Sequence, residues 1–97
     1  MPDIKALIAK AKEKDEKAME ALFYQFTPLL KSRAKKYSRY GLEYEDAFQQ
    51  AALLFIMAVY EYQEMPPTTF AGYLKKRIGW GLWAYYRKEL KQKGENH

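Results

Sequence analysis

Cysteine is absent from this sequence, and histidine occurs once, as the terminal residue His97. Without thiols there are no disulfides and no Cys-ligated zinc, and the composition carries no mark of an oxidising compartment. A metal site would have to be built from carboxylates alone, and no Glu-x-x-His pair exists. No metal and no cofactor is therefore expected. Also missing are a Ser/His/Asp set and a phosphate-cradling glycine-rich loop between a strand and a helix. Glu43, Glu45 and Asp46 lie close together, but a helix N-terminus accounts for them, because its dipole favours anions. The sequence points away from an enzyme, with no catalytic residue to nominate. No apolar leader opens the chain, since Lys, Asp and Glu dominate by residue 16. The longest uncharged stretch, Ala47 to Tyr60, is too short to span a bilayer. A cytoplasmic protein without a membrane partner is expected. There is no internal repeat, strand-period segment or low-complexity run.

What is present fits one small helical domain over residues 1–97, near the lower end of what a single core can stabilise. An apolar fraction of 48% and an aromatic fraction of 16% are those of a folded chain, not a disordered one. The net charge of +5 is modest, but it is unevenly spread. Residues 3–20 balance lysines against acids. Residues 31–39 carry Lys31, Arg33, Lys35, Lys36 and Arg39 and no acid, whereas residues 43–64 carry Glu43, Glu45, Asp46, Glu61 and Glu64 and no base. Residues 75–93 hold seven cations against Glu89. Two basic segments flanking an acidic one suggest a polyanionic partner and a separate surface for something else.

The spacing of apolar residues predicts an all-α bundle of about four helices. Asp3 is placed to cap a first helix over residues 4–13, with Ile4, Leu7, Ile8 and Ala11 on one side. Asp15 is placed to cap a second that reaches about Tyr40, with Ala18, Leu22, Phe26, Leu29, Leu30 and Ala34 inward. Pro28 should kink that helix without ending it, because the period continues beyond, and Gly41 supplies the stop. A third helix spans about 43–62. Met65-Pro66-Pro67 breaks it, and Thr68 or Thr69 can cap the last helix, from about Tyr73 to Lys91. Gly72, Gly79 and Gly81 lower the helicity of this last element and allow another backbone to approach. Lys93 to His97 reads as a loose tail.

The third and fourth helices each carry two unlike faces. In the third, Ala47, Phe48, Ala51, Leu54, Phe55, Ala58, Val59 and Tyr62 form a core stripe. Opposite them lie Asp46, Gln49, Gln50, Leu53, Ile56, Met57 and Tyr60, an apolar row behind a polar end that a solvated face would not normally carry. Either this helix is buried all round, or the second face docks another protein. In the fourth helix Phe70, Leu74, Ile78, Leu82 and Tyr85 form the core stripe. Tyr73, Lys76, Trp80, Trp83 and Arg87 recur at steps of three and four on the other side, with Arg77 and Lys91 beside them. Rings alternating with cations suit unpaired bases and their phosphates. The competing interpretation packs Tyr73 and both tryptophans into a second core face.

Three segments together resemble region 2 of the bacterial sigma factors, the promoter-specificity subunits of RNA polymerase. Asp15-Glu16-Lys17-Ala18, Ala21-Leu22-Phe23, Thr27-Pro28-Leu29, Ala34 and Tyr37 are similar to the family's opening helix, proline included. Asp46-Ala47-Phe48-Gln49-Gln50-Ala51 looks like its Asp-Leu-x-Gln-Glu-Gly signature, followed at the right distance by Ala58 and Tyr62. Phe70-Ala71-Gly72-Tyr73 and Ile78 resemble its Phe-Ser-Thr-Tyr-Ala and Ile segment. The likeness covers roughly residues 15–88, and the order and spacing of the motifs carry it rather than any one of them.

This resemblance implies a sigma region 2-like fold. It also implies that the third helix docks on the clamp helices of the polymerase β′ subunit. Asp46, Gln49 and Gln50 would make the polar contacts, and Leu53, Ile56 and Met57 the apolar ones. It implies that the last helix binds the promoter −10 element and its non-template strand through Tyr73, Lys76, Arg77, Trp80, Trp83 and Arg87, with Tyr73 stacking on a flipped base. The chain departs from the family at Lys76-Arg77, where primary sigma factors place two tryptophans, and at Gln50, which replaces the signature glutamate. Divergent sigma factors and sigma-like proteins of Gram-positive bacteria are nearer the pattern than housekeeping ones. No second DNA-binding domain follows, so the expectation is either a fragment or a short protein whose partner supplies the −35-binding half. Two other functions fit the same faces: a helical adaptor or regulator that binds only protein, and a generic binder of duplex DNA.

Overall fold

Four helices, α1 (Ile4–Lys12), α2 (Glu16–Arg39), α3 (Tyr44–Glu61) and α4 (Phe70–Glu95), follow one another with short connections. The computed structural model describes residues 3–65 and 67–95, the side chains of 93–95 excepted. Three of the four helices start where a side chain accepts from their free N–H groups. The Asp3 carboxylate accepts from Lys5 N–H, and that of Asp15 accepts from Lys17 and Ala18 N–H at 3.0 and 3.2 Å. At α4 the Thr69 hydroxyl accepts from Gly72 N–H at 3.1 Å, which starts the helix at Phe70, three residues ahead of the expected Tyr73. At α3, Glu43 makes no side-chain cap, and Glu45 and Asp46 instead set negative charge in the first turn.

α2 ends as Gly41 requires. Its φ of 110° lies in the left-handed region. Gly41 N–H donates to the Ser38 carbonyl, and Leu42 N–H reaches back to that of Tyr37, both at 3.1 Å. This is a Schellman closure with Leu42 buried beside Tyr37. α2 runs through Pro28 as one helix. The carbonyl that Pro28 leaves without a donor belongs to Tyr24, on an exposed turn where water can serve it. The hydroxyl of Thr27 donates to the Phe23 carbonyl at 2.7 Å. At the other end α4 continues to Glu95, so Lys93–Glu95 extend the helix where a loose tail was expected. Asn96 and His97 lie outside the described residues.

Ring contacts set the relative directions of the long helices. Phe26 of α2 meets Phe70 at the start of α4 with ring centroids 5.4 Å apart, and Tyr37 meets Tyr86 near its end at 5.8 Å. α2 and α4 therefore run the same way. Tyr62, just past the end of α3, meets Phe70 at 5.2 Å, so α3 runs against both. Phe55 sits at the centre, fully buried among Phe23, Phe26 and Phe70, with Leu22, Leu30, Leu74, Ile78 and Leu82 around it. Each such side chain contributes about 1.5–3 kcal/mol by leaving water. Among the described residues the buried polar groups are the Tyr37 phenol and the unpartnered Arg77 Nε, so this core rests almost wholly on apolar packing. No described helix is long and apolar enough to cross a membrane.

Glycine has one packing role in α4. A Cβ at Gly81 would stand 2.4 Å from Leu54 Cδ1, so the α4 backbone lies directly on α3 there. At Gly79 a Cβ would meet nothing within 4 Å, because that side of the helix faces open space.

Candidate functional site

The core stripes of α3 and α4 bury along most of their length, with Phe48, Tyr62 and Tyr85 only half-buried, and the large apolar side chains of the second faces stay outside. On α3, Leu53 is 51% exposed, and Ile56, Met57 and Tyr60 are exposed as well. All-round burial is thereby excluded, and four large apolar side chains stand in a row on the surface. On α4, Trp80 is 74% and Trp83 48% exposed, so the tryptophans do not form a second core face.

The tertiary arrangement sets both faces beside grooves along α2, with α4 contributing four residues to one and α3 contributing Ile56 to the other. Between α2 and α4 a groove of about 530 Å³ is lined by Lys36, Tyr37, Lys76, Gly79, Trp80 and Trp83. It brings the two basic segments of the sequence together around two indole rings and contains no carboxylate. Gly79 forms its floor, which explains why a side chain there would meet nothing. Arg87 continues the row, its guanidinium 4.9 Å from the Trp83 ring centroid, a cation–π distance. That contact occupies one face of Trp83 and leaves Trp80 as the more open ring.

Between α2 and α3 a second groove of about 400 Å³ is lined by Met19, Glu20, Phe23, Tyr24, Thr27 and Ile56. Its walls are apolar, its one charge is negative, and it shares no residue with the first. Tyr24, 84% exposed, stands at its lip. Past Ile56 the surface continues over Leu53 and Met57 toward the polar end of α3, where Asp46 and Gln49 are exposed and Gln50 is half-buried. The Lys14 ammonium caps the far end, 4.6 Å from the Tyr60 ring centroid.

Two of the residues expected on the basic face sit elsewhere. Tyr73 is half-buried, its ring 5.4 Å from that of Tyr62, in the aromatic cluster at the α3–α4 corner. Arg77 straps the same corner by donating from Nη2 to Glu61 Oε2. Both side chains are thus engaged within the bundle. Lys76, Trp80, Trp83 and Arg87 remain together on the groove side. What the periodicity missed is the α2 contribution: Lys36 and Tyr37 in one groove, Met19, Phe23 and Tyr24 in the other. The signal for the first was present in the uncompensated cations of residues 31–39. For the second it was Met19 and Phe23, four residues apart and beside the core stripe rather than on it.

Electrostatics follow the same division. Tyr37 is buried at the base of the basic groove, and burial pushes its phenol above the ordinary 10.0. The neighbouring Tyr40 and Tyr86 add to this, and Arg33 opposes it. Tyr85 is raised likewise by burial and then by Glu89, Asp46 and Glu43, which brings the acidic start of α3 alongside the later turns of α4. Among the described residues no group of three His, Cys, Asp or Glu could hold a metal ion. Comparison of the chain with protein-family models, with curated proteins and with solved structures finds no match.

Proposed function

We propose that this chain is a transcription-initiation domain of the sigma region 2 kind, holding RNA polymerase through α3 and a melted promoter strand through α4. One observation carries this proposal. Two grooves of opposite character flank α2, one apolar with an acidic edge and one aromatic with a basic edge, and each presents large side chains that the core has not taken up. A small domain with spare tryptophans among cations is suited to unpaired bases, because a ring stacks on any base and an ammonium or guanidinium on its phosphate. A spare row of Leu53, Ile56 and Met57 behind Asp46 and Gln49 suits an amphipathic helix with a basic rim, as the clamp helices of β′ would present.

Magnitudes separate capture from melting. Stacking contributes about 1–3 kcal/mol per base, and extracting a paired base costs a few kcal/mol. Two indoles, one already covered on a face by Arg87, therefore balance the cost of about one flipped base with little to spare. The domain accordingly holds a strand that the polymerase has opened and does not open duplex unaided. In this scheme Trp80 and Trp83 stack, Lys36, Lys76 and Arg87 hold phosphates, and Tyr73 and Arg77 fix the α3–α4 corner.

Retention of the full chain on an immobilised β′ clamp fragment tests the first half. Asp46→Lys with Gln49→Ala should abolish it, and a wild-type chain that is not retained counts against the assignment. Tryptophan fluorescence tests the second half. Quenching by single-stranded −10-type DNA that disappears at high salt supports it. Unchanged fluorescence leaves a helical adaptor that binds protein alone, and tighter binding to duplex than to single strand leaves a generic duplex binder.

A further inference from the structure

A cluster of five cations, sharing only Lys36 with the groove just described, lies on α2. Along the outer face of α2 a trough of about 820 Å³ runs from Pro28 to Arg39 and is closed at one end by Tyr44 of α3. Lys31, Lys35 and Arg39 follow one another at four-residue steps, so they form a single stripe about 6 Å apart along the axis. All three are exposed, and the trough is lined by no carboxylate. The ion pairs among the described residues, Lys5–Glu64 and Arg77–Glu61, lie elsewhere. Like charges at this spacing destabilise a helix by a few tenths of a kcal/mol per pair. A helix that carries them without acids between them is suited to a polyanion that neutralises them.

Lys36 lines this trough and also the tryptophan groove. We infer that the outer face of α2 is a second, sequence-independent phosphodiester site, and that one strand passes from the tryptophan groove over Lys36 onto Lys31, Lys35 and Arg39. This extends the nucleic-acid half of the function proposed above and rests on it. The trough offers ammonium, guanidinium and hydroxyl donors, the last from Ser32 and Ser38, which suit phosphate oxygens. Tyr44 is its one ring, so the backbone is bound there and the bases are not read. The two grooves open in different directions around α2, since Lys31 and Tyr37 point about a third of a turn apart. A single strand can follow that bend, whereas a flat anionic bilayer cannot contact both sides at once.

The test titrates the full chain with oligothymidylates of about 5 and about 14 nucleotides, within the range of strand lengths that single binding folds hold. Tryptophan quenching is the readout, at several salt concentrations. The longer strand should bind more tightly, with a plot of log K against log salt steeper by about two. That is the increment for three further neutralised phosphates on a single strand. Lys31→Gln, Lys35→Gln and Arg39→Gln together should remove the increment. The longer strand should then weaken about ten-fold at low salt while the short one stays within about two-fold. Lys31→Arg with Lys35→Arg should keep it.

An unchanged slope for the longer strand in the triple variant, with quenching intact, overturns the α2 track and leaves the tryptophan groove standing. If the variant does not fold, the wild type decides alone, because equal slopes for the two lengths overturn the track. No quenching by either strand removes the groove and the track together. Binding to phosphatidylserine vesicles that the longer strand cannot displace reassigns these cations to a membrane surface and likewise overturns the inference.

Discussion

The two grooves on either side of α2 are built from the same materials and differ in one respect. Each sets apolar side chains of a neighbouring helix against α2, Ile56 alone from α3 and both indoles from α4, but the charge beside the first is the acid Glu20 and beside the second the bases Lys36 and Lys76. Under the function proposed above, an apolar groove with Glu20 at its edge would select a helix with a basic rim, whereas indoles with Lys36 and Lys76 would select a strand of bases and phosphates. Hydrophobic exposure alone therefore does not name a partner. The charge placed beside it does.

Independent variants can break that contrast, beginning with the largest effects. Trp80→Ala with Trp83→Ala should weaken single-stranded DNA binding by about a hundred-fold or more, at about 1–3 kcal/mol per ring, and leave clamp retention unchanged. Leu53→Asp with Met57→Asp should do the converse, abolishing retention while oligonucleotide quenching stays within about two-fold. If either pair impairs both activities, the grooves are not separate surfaces.

The two glycines of α4 give a smaller and purely structural contrast. Gly81→Ala forces a methyl into Leu54 and should lower stability by about 1–3 kcal/mol from overpacking, reduced by up to about 1 kcal/mol of gained helix propensity. Gly79→Ala meets nothing and should stabilise the chain by up to about 1 kcal/mol. Since it raises the floor of the basic groove, it should also weaken DNA binding. Urea unfolding of both variants checks the opposite signs.

Tyr24→Ala comes next. The side chain is almost fully exposed, so stability should change by less than about 0.5 kcal/mol, while clamp retention falls if α2 truly forms a wall of that groove. The smallest effect concerns pH. Tyr37 titrates above the ordinary 10.0 in the folded chain, chiefly through burial. Below pH 10 both states keep the proton and its contribution is constant. As the pH rises past 10 toward the raised folded value the unfolded chain ionises first, and stability is lost. Tyr37→Phe should make the alkaline decline in melting temperature shallower, with no effect at neutral pH.

Much of the bundle was legible in the order of residues. Asp3, Asp15, Thr69 and Gly41 cap and stop helices through bonds to N–H and carbonyl groups within a few positions of themselves. The stripes through Phe55 and Ile78 bury along most of their length as their period requires, because helical geometry fixes which side chains share a side before any packing occurs. The expected end of α4 fell short of Glu95, since helix termini depend on weak local preferences. The outcome for Tyr73 and Arg77 was not legible. On the wheel Tyr73 lies about 20° from Trp80 and Arg77 about 60° from it, yet Tyr62 and Glu61, at the end of α3, draw both into the corner.

The sequence by itself thus determined the four helices, their inward stripes and the presence of a spare apolar face and a spare aromatic one, for these follow from periodicity and short-range bonding. Only the tertiary structure decided that α2 walls both grooves, that Lys36 joins the two basic segments, and that Gly81 rests on Leu54. Those contacts join residues far apart in the chain, and their geometry is set by how whole helices pack, which no local pattern encodes.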